Sequence, residues 1–368
     1  MKKICLIYGT RPEAIKFAPL IEELKNNSDI EFTVVNTGQH KSMVDQVHEF
    51  FGITPDINLD IFYPGQSIAD IFSRTVKKLQ QYFFSSSKFS AVVVQGDTTT
   101  SISAGLTAFY NKIPVVHMEA GLRSNNLWSP FPEEANRKML SHITSLHLAP
   151  TKESKKNLLK ENIDDKAITI TGNTVIDAAR TVSERSNVKI PFQDKLKGKK
   201  LILVTTHRRE NLGKNLKNIV SALKILAEKH EDVIFVIPMH KNPEVREPYN
   251  KSLKNLNNVI LCEPVDYITF ISLIKQAKLI LSDSGGVQEE APYFNVPVLV
   301  LRENTERPEA VEMGTAKLIG SDTNKIIKYV DKLLIDNKAY ENMSSAVNPY
   351  GDGYAAKKTV AAIRDMLN

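Results

Sequence analysis

Arginine, lysine and three carboxylates stand in this chain at points where a short apolar run gives way to a helical pattern. In an open parallel sheet, ligands lie outside the carboxyl ends of the strands, so these junctions are the places to look for chemistry. Residues 8–20, YGTRPEAIKFAPL, carry the first. Thr10 and Glu13 have the T-x-x-E spacing of a capping box, and Pro12 suits a first helical turn. Arg11 then stands beside free backbone N–H groups, an anion site with Lys16 further along; alternatively it is a solvated residue on a well-capped helix. No G-x-G-x-x-G occurs at this junction, so a dinucleotide fingerprint is missing. The second junction, VVVQGDTTTSISAG, presents Asp97, either as a helix cap or as a carboxylate at the sheet edge. The third, IPVVHMEAGLRS, places Glu119 directly after an apolar run, with His117 and Arg123 around it. Capping explains a glutamate there poorly, because Ser, Thr, Asp and Asn lead at that position, which favours a functional reading. In the fourth, SPFPEEANRKM, Glu133 follows Pro130 and Pro132 on a rigid loop. It also sits i, i+4 from Arg137, the spacing of a surface ion pair.

The second half has its own junctions. VTTHRREN puts His207, Arg208 and Arg209 after an apolar run, and LSDSGGVQEEAPYF puts Ser284, Gly285 and Gly286 at a helix start, with Glu289 and Glu290 one turn in. Small residues let backbone N–H groups approach a phosphate, and the helix dipole favours the anion. With Arg11 and His207, these residues describe a diphosphate site. Glu290 behind it can accept from ribose hydroxyls, as acidic residues do in dinucleotide folds.

The elements that must position these groups follow from periodicity. Continuous Val/Ile/Leu runs recur at 4–8, 32–36, 91–94, 115–118, 146–149 and 167–171, then at 201–205, 233–238, 258–261, 279–282, 296–301 and 317–319. Unbroken apolar runs indicate strands covered on both faces, and their alternation with helical patterns indicates a doubly wound parallel sheet. The pattern occurs twice, separated by the polar stretch SERSNVKIPFQDKLKGKK. The expectation is therefore two Rossmann-like α/β domains with a cleft between them: residues 1–170 carrying the carboxylates and 171–354 carrying the diphosphate site. Residues 355–368 read as a final helix after the turn-rich NPYGDGY.

Bulk properties agree. The length, 368 residues, suits two domains, and a hydrophobic content of 42% suits a sizeable core in each. The net charge is +6, compatible with an anionic substrate; the lysines are spread out, which argues against a nucleic-acid partner. Cys5 and Cys262 lie in apolar runs and read as buried, reduced thiols. No run approaches membrane-spanning length and no signal-peptide pattern is present, so a cytoplasmic protein away from the membrane is expected. No metal-ligand spacing is seen, and no metal or nicotinamide cofactor is called for.

GTRPEAIK, QGDTTTS, HMEAGLRS, PEEANRK, TGNTVIDA, HRREN, DSGGVQEEAP, ERPEAV and NPYGDG, in this order and across essentially the whole chain, resemble the non-hydrolysing UDP-N-acetylglucosamine 2-epimerases. The resemblance implies a GT-B fold, a last helix crossing back to the first domain, and a homodimer. It implies UDP-GlcNAc, UDP-ManNAc and UDP as ligands. Arg11, His207 and the Ser284–Gly285–Gly286 turn would hold the diphosphate, and Glu290 the ribose. Phe270 and the backbone at Val265 would hold the uracil, and Lys16 and Arg307 would complete the polar shell. Asp97, Glu119 and Glu133 would be the catalytic carboxylates, with His207 counted beside them. The sequence departs from the family pattern beside these motifs, with Gln95 where His is expected, Phe131 where Trp is frequent and Thr206 where a smaller residue is common.

The implied chemistry fits the residue types. The C2 proton of a GlcNAc unit is very weakly acidic until UDP departs from C1; positive charge and helix N–H groups would stabilise the leaving diphosphate, and carboxylates would take the proton from one face and return it on the other. Which carboxylate does which stays open. Other readings remain: a GT-B glycosyltransferase using a UDP-sugar, an epimerase acting on a UDP-diacetamido sugar, a hydrolysing epimerase that releases UDP and free ManNAc, and a nucleotide-sugar-binding regulator without turnover. Some bacterial members are regulated through a second UDP-GlcNAc site, with a Q-H-x-Q pattern and an Arg-Gln pair. The chain has Gln39, His40, Lys41, Ser42 and then Gly65, Gln66; Ser42 is too short to replace a Gln amide and Gly65 has no guanidinium. Gln39, His40, Arg208 and His240 remain candidates for a weakened second site.

Overall fold

The computed structural model describes residues 2–27, 29–40, 42–81, 89–185, 188 and 190–368, with only the backbone described at 42, 43 and 209. The chain forms two compact units, Met1–Ala178 with Tyr350–Asn368, and Ala179–Pro349. Among the described residues no helix is long and apolar enough to cross a membrane.

The first unit holds a seven-stranded parallel sheet: β1 (Lys2–Tyr8), β2 (Ile30–Asn36), β3 (Ile57–Asn58), β4 (Ala91–Gln95), β5 (Val115–Met118), β6 (Leu146–Ala149) and β7 (Ile168–Ile170), in the order β3-β2-β1-β4-β5-β6-β7. The second unit holds six: β8 (Lys200–Thr205), β9 (Val233–Pro238), β10 (Val259–Cys262), β11 (Ala277–Ser282), β12 (Val298–Val300) and β13 (Ala316–Leu318), in the order β10-β9-β8-β11-β12-β13. Every pairing is parallel; Ile4 of β1, for example, sits opposite Phe32 of β2 and Ala91 of β4. Helices interleave with the strands in both units, so the strand interiors are covered. Ile4 through Tyr8 are all fully buried, which explains their unbroken apolar sequence. Twelve strands coincide with the apolar runs; β3 does not, because two residues, Ile57 and Asn58, leave no run to detect.

In both sheets the order reverses at one point, between β1 and β4 and between β8 and β11. Such a switch point opens a crevice at the carboxyl ends of the two strands, because the connections leave to opposite sides. Arg11 follows β1 and Asp97 follows β4; His207 follows β8 and Ser284 follows β11. The doubly wound winding thus delivers four of the sequence-derived candidates to two switch points.

The final helix, Ala355–Leu367, belongs to the first unit. The buried Asp177 carboxylate accepts from the N–H groups of Ala355 and Ala356 at 3.1 and 2.8 Å, satisfying two donors that a helix start leaves open. At the far end Arg364 pairs with Asp29 at 2.5 Å. Cys5 is buried as expected, whereas Cys262 is only partly buried, because β10 is an edge strand.

Candidate functional site

Among the three carboxylates of the sequence-derived site, Glu119 is the most heavily engaged. Lys16 Nζ lies 2.7 Å from Oε1 and 2.5 Å from Oε2, Asn173 Nδ2 donates to Oε1 at 3.1 Å, and Gln95 Nε2 donates to Oε2. Glu119 adopts φ +62°, a left-handed conformation uncommon for a residue with a side chain, and the surrounding donors hold it there. A pocket opens beside it, with Gln95, Asn173 and Thr359 in the wall. Gln95, one of the departures from the family pattern, is therefore part of the carboxylate's donor set.

Asp97 does not cap the following helix. Thr98 does, accepting from Ser101 N–H at 3.1 Å. Asp97 is left at the strand end, where Arg137 reaches its Oδ2 at 2.5 Å and Asn136 Nδ2 donates to its backbone carbonyl at 2.8 Å. Both partners lie on the helix Glu133–Ser141, so this helix is locked onto the Asp97 turn. The i, i+4 pairing of Arg137 with Glu133 is not what that spacing produces. Arg137 instead meets Asp97 and, at 3.1 Å, Glu134, whose carboxylate also receives Ser124 N–H and Asn125 N–H. Glu133 Oε2 is buried without a hydrogen-bond partner among the described residues.

Of the residues flanking Glu119, neither His117 nor Arg123 is a second reactive group. His117 Nε2 donates to Gly96 O at 2.7 Å, bracing the turn before Asp97, where Gly96 takes φ +68°. Burial pushes the His117 imidazole down to about 4. Arg123 turns away to a bidentate pair with Glu161 at 2.8 and 2.6 Å, and its guanidinium holds that carboxyl down to about 2.

Arg11 heads its helix with no ion pair to a carboxylate among the described residues, and it lies close enough to His40 to disfavour its protonated form, second to burial. The preceding Gly9 has no space for a side chain: a Cβ would stand 2.0 Å from Thr37 Oγ1 and 2.6 Å from Thr100 Oγ1. Gln39 accepts from Thr100 Oγ1 at 2.8 Å. Of the proposed second-site residues, Gln39 and His40 thus lie beside Arg11 in the first unit, while Lys41 and the Ser42 side chain lie outside the described residues. Gly65 sits in an open turn at φ +77°.

The second unit gathers the anion-site candidates around a residue that pattern reading passed over, Asp283. It is fully buried and accepts from His207 N–H at 3.0 Å, Arg208 N–H at 3.0 Å and Asn211 Nδ2 at 2.9 Å. Its Oδ1 is also 3.0 Å from His207 Nδ1. Burial raises the Asp283 carboxyl, but the His207, Asn211 and Arg208 donors outweigh it and hold the group below its ordinary value. A carboxylate there makes Nδ1 the donor and leaves the half-exposed imidazole's Nε2 for a ligand. The only sequence signal was an Asp in the D-S-G-G stretch.

Ser284 begins the short helix Gly285–Glu290. Arg307 packs under Gly285, where a Cβ would meet its Cζ at 3.3 Å, and pairs with buried Glu289 at 2.7 Å. Gly286 faces Glu290 and Ser284: a Cβ there would lie 4.0 Å from Glu290 Oε2 and from Ser284 Oγ. Val265 and Phe270 flank the start of the helix Tyr267–Gln276, both partly buried. Arg208 Nε is buried without a hydrogen-bond partner among the described residues, and His240 is exposed, with Nδ1 accepting from Asn242 N–H at 3.2 Å. Among the described residues no cluster of His, Cys, Asp and Glu has the form of a metal site.

A family model described as UDP-N-acetylglucosamine 2-epimerase matches residues 22–364. The chain is 47% identical to the UDP-N-acetylglucosamine 2-epimerase of Yersinia pestis over 99% of its own length and 98% of that protein's. The crystal structure of a putative UDP-N-acetylglucosamine 2-epimerase from Listeria monocytogenes superposes with a TM-score of 0.94 at 45% identity, covering 100% of this chain and 97% of that one. The Neisseria meningitidis UDP-GlcNAc 2-epimerase bound to UDP-GlcNAc superposes with a TM-score of 0.90 at 45% identity, covering 99% and 100%.

Proposed function

The chain belongs to the UDP-N-acetylglucosamine 2-epimerase family, and from that premise we propose how it turns over: it interconverts UDP-GlcNAc and UDP-ManNAc by eliminating UDP and adding it back. Loss of UDP from C1 leaves an oxocarbenium-like ring whose C2–H is acidified. Loss of that proton gives 2-acetamidoglucal, and re-addition of UDP with a proton on the opposite face of C2 gives the epimer. Arg11, His207 and the Ser284–Gly285–Gly286 turn take the diphosphate, where fixed N–H dipoles and cationic groups stabilise the departing charge. Glu290 takes the ribose, Val265 and Phe270 the uracil, and Lys16 and Arg307 complete the polar shell.

The observation that carries this reading is the contrast among three carboxylates at the first sheet's carboxyl edge. Glu119 has donors on both oxygens and Asp97 is gripped by Arg137, whereas Glu133 keeps a buried oxygen without a partner among the described residues. A proton-transfer group needs an oxygen not already committed to a fixed partner, and groups held by fixed partners keep the others in register with it. The elimination needs nothing beyond these side chains and UDP as leaving group.

Incubation with UDP-GlcNAc in D2O, without acceptor, tests the route. NMR should show UDP-ManNAc with deuterium at C2 in both epimers; retention of the original proton would refute elimination, and sugar transfer only upon adding an acceptor would favour a glycosyltransferase. The product would serve as a ManNAc donor for cell-surface polysaccharide. Exposed Phe109, Tyr110 and Met139 on neighbouring helices of the first unit support a homodimer, and the free thiols Cys5 and Cys262 support a reducing cytoplasmic setting.

A further inference from the structure

Glu13 has no role in the reaction just described, yet its side chain is fully buried and bonded on both oxygens. Oε2 accepts from Gly9 N–H at 3.0 Å and Thr10 N–H at 2.8 Å, in the turn that leads into Arg11. Oε1 accepts from Thr98 Oγ1 at 2.6 Å and lies 2.9 Å from Ser101 Oγ, just beyond Asp97. A capping box requires only the contact to Thr10. The two hydroxyls lie 85 and 88 residues away in the chain, so capping does not account for them. Ser101 Oγ also donates to the Gln95 carbonyl at 2.5 Å, and the Gln95 amide donates to Glu119. One turn along the same helix, Lys16 grips Glu119 from the other side.

We propose that Glu13 is a positioning residue for the epimerisation, a buried strut that holds the Arg11 turn and the Asp97 turn at a fixed separation across the switch point of the first sheet. The proposal rests on the roles given above to Arg11 and Asp97. Its hydrogen bonds state which replacements suffice. Glutamine keeps an oxygen on the two N–H groups and turns its amide toward Thr98 and Ser101, whose hydroxyls accept as well as donate. Ser101 can then give its single hydrogen to Gln95 O. Alanine spans nothing, and the tie between the turns is cut.

Steady-state kinetics with UDP-GlcNAc, calorimetry with UDP and circular dichroism test this on the full chain. Glu13→Gln should stay within about threefold of the parent in kcat and KM, while folded Glu13→Ala should lose about tenfold or more in both kcat and UDP affinity, the scale of a slight misplacement of reacting groups. If Glu13→Ala does not fold, Thr98→Val combined with Ser101→Ala removes both hydroxyls that Glu13 meets at the Asp97 end and should lower kcat while leaving UDP affinity unchanged. Parent-like kinetics in folded Glu13→Ala, or in the folded Thr98→Val, Ser101→Ala double variant, would overturn the proposal. So would a Glu13→Gln enzyme as impaired as Glu13→Ala, because the carboxylate itself would then be in use. Asp97→Asn is the control: if it retains turnover, the catalytic assignment beneath the proposal fails, whereas a dead Asp97→Asn beside parent-like Glu13→Ala sinks the strut alone.

Discussion

Two histidines packed side by side in β5 and β6 should make this protein steeply sensitive to acid, and His147→Leu measures how steeply. His117 and His147 are register partners, 0% and 1% exposed. His117 Nδ1 and both nitrogens of His147 have no hydrogen-bond partner among the described residues. Burial lowers His117 to about 4; burial, with His117, Arg123 and His142 nearby, lowers His147 to about 3. An unfolded histidine titrates near about 6.5. As the pH falls below that value the unfolded chain gains a proton at each position and the folded chain does not, so stability is present at neutral pH and drains away down to about pH 4. Each histidine costs about 1.4 kcal/mol per pH unit in this window, or about 2 kcal/mol between pH 7 and pH 5 and about 4 kcal/mol for the pair. Glu13 works the other way, because burial raises its carboxyl and the folded state takes that proton first. Comparison with a variant removes such background. His147→Leu should be at least as stable as the parent at pH 7, since a buried polar ring without partners is lost, and more stable by a further margin of about 2 kcal/mol at pH 5. Urea unfolding followed by circular dichroism at both pH values reads the margin, provided the slope m is unchanged. An identical margin at pH 5 and pH 7 would refute the reasoning and mean that the folded protein accommodates the charged ring.

The remaining predictions concern the two half-sites. Asp97→Asn, Glu119→Gln and Glu133→Gln should each lower kcat by about 10²-fold or more with little change in UDP affinity, and near-normal turnover in Glu133→Gln would remove its uncommitted oxygen from the mechanism. Arg11→Ala should weaken UDP binding by about 1.5–3 kcal/mol in calorimetry, the worth of a hydrogen bond to a charged group; an unchanged Kd would place Arg11 outside the clamp. Asp283→Ala strips the acceptor from two backbone N–H groups, the Asn211 amide and the His207 ring, so a stability loss of about 3 kcal/mol or more is expected by urea denaturation, and a loss below about 1 kcal/mol would show that water takes the carboxylate's place. With Ser42 and Gly65 at the second-site positions, the reverse reaction from UDP-ManNAc should run without added UDP-GlcNAc; an absolute requirement for it would contradict that reading.

Much of the architecture was legible because burial on both faces writes itself into composition. Strands covered by helices must be apolar throughout, and twelve of the thirteen announced themselves as runs; the two-residue β3 was too short to do so. The junction rule then pointed to Arg11, Asp97, Glu119, Glu133, His207 and Ser284 from position alone, since the carboxyl ends of parallel strands follow directly from strand order. What spacing could not decide was which charges meet. Arg137 is i, i+4 from Glu133, yet it pairs with Asp97 across the sheet edge and with Glu134 beside it, because a short helix laid against a strand end offers partners that no local spacing encodes. His117 and Arg123 flank Glu119 in sequence and turn to Gly96 and Glu161, because the left-handed backbone at Glu119 breaks the strand's alternation and a loop can carry an arginine elsewhere. Glu13 read as part of a capping box, and Asp283 was passed over in its D-S-G-G stretch. Only the folded chain, by bringing donors from positions far apart in sequence around each buried carboxylate, made one a strut and the other the support that aims His207.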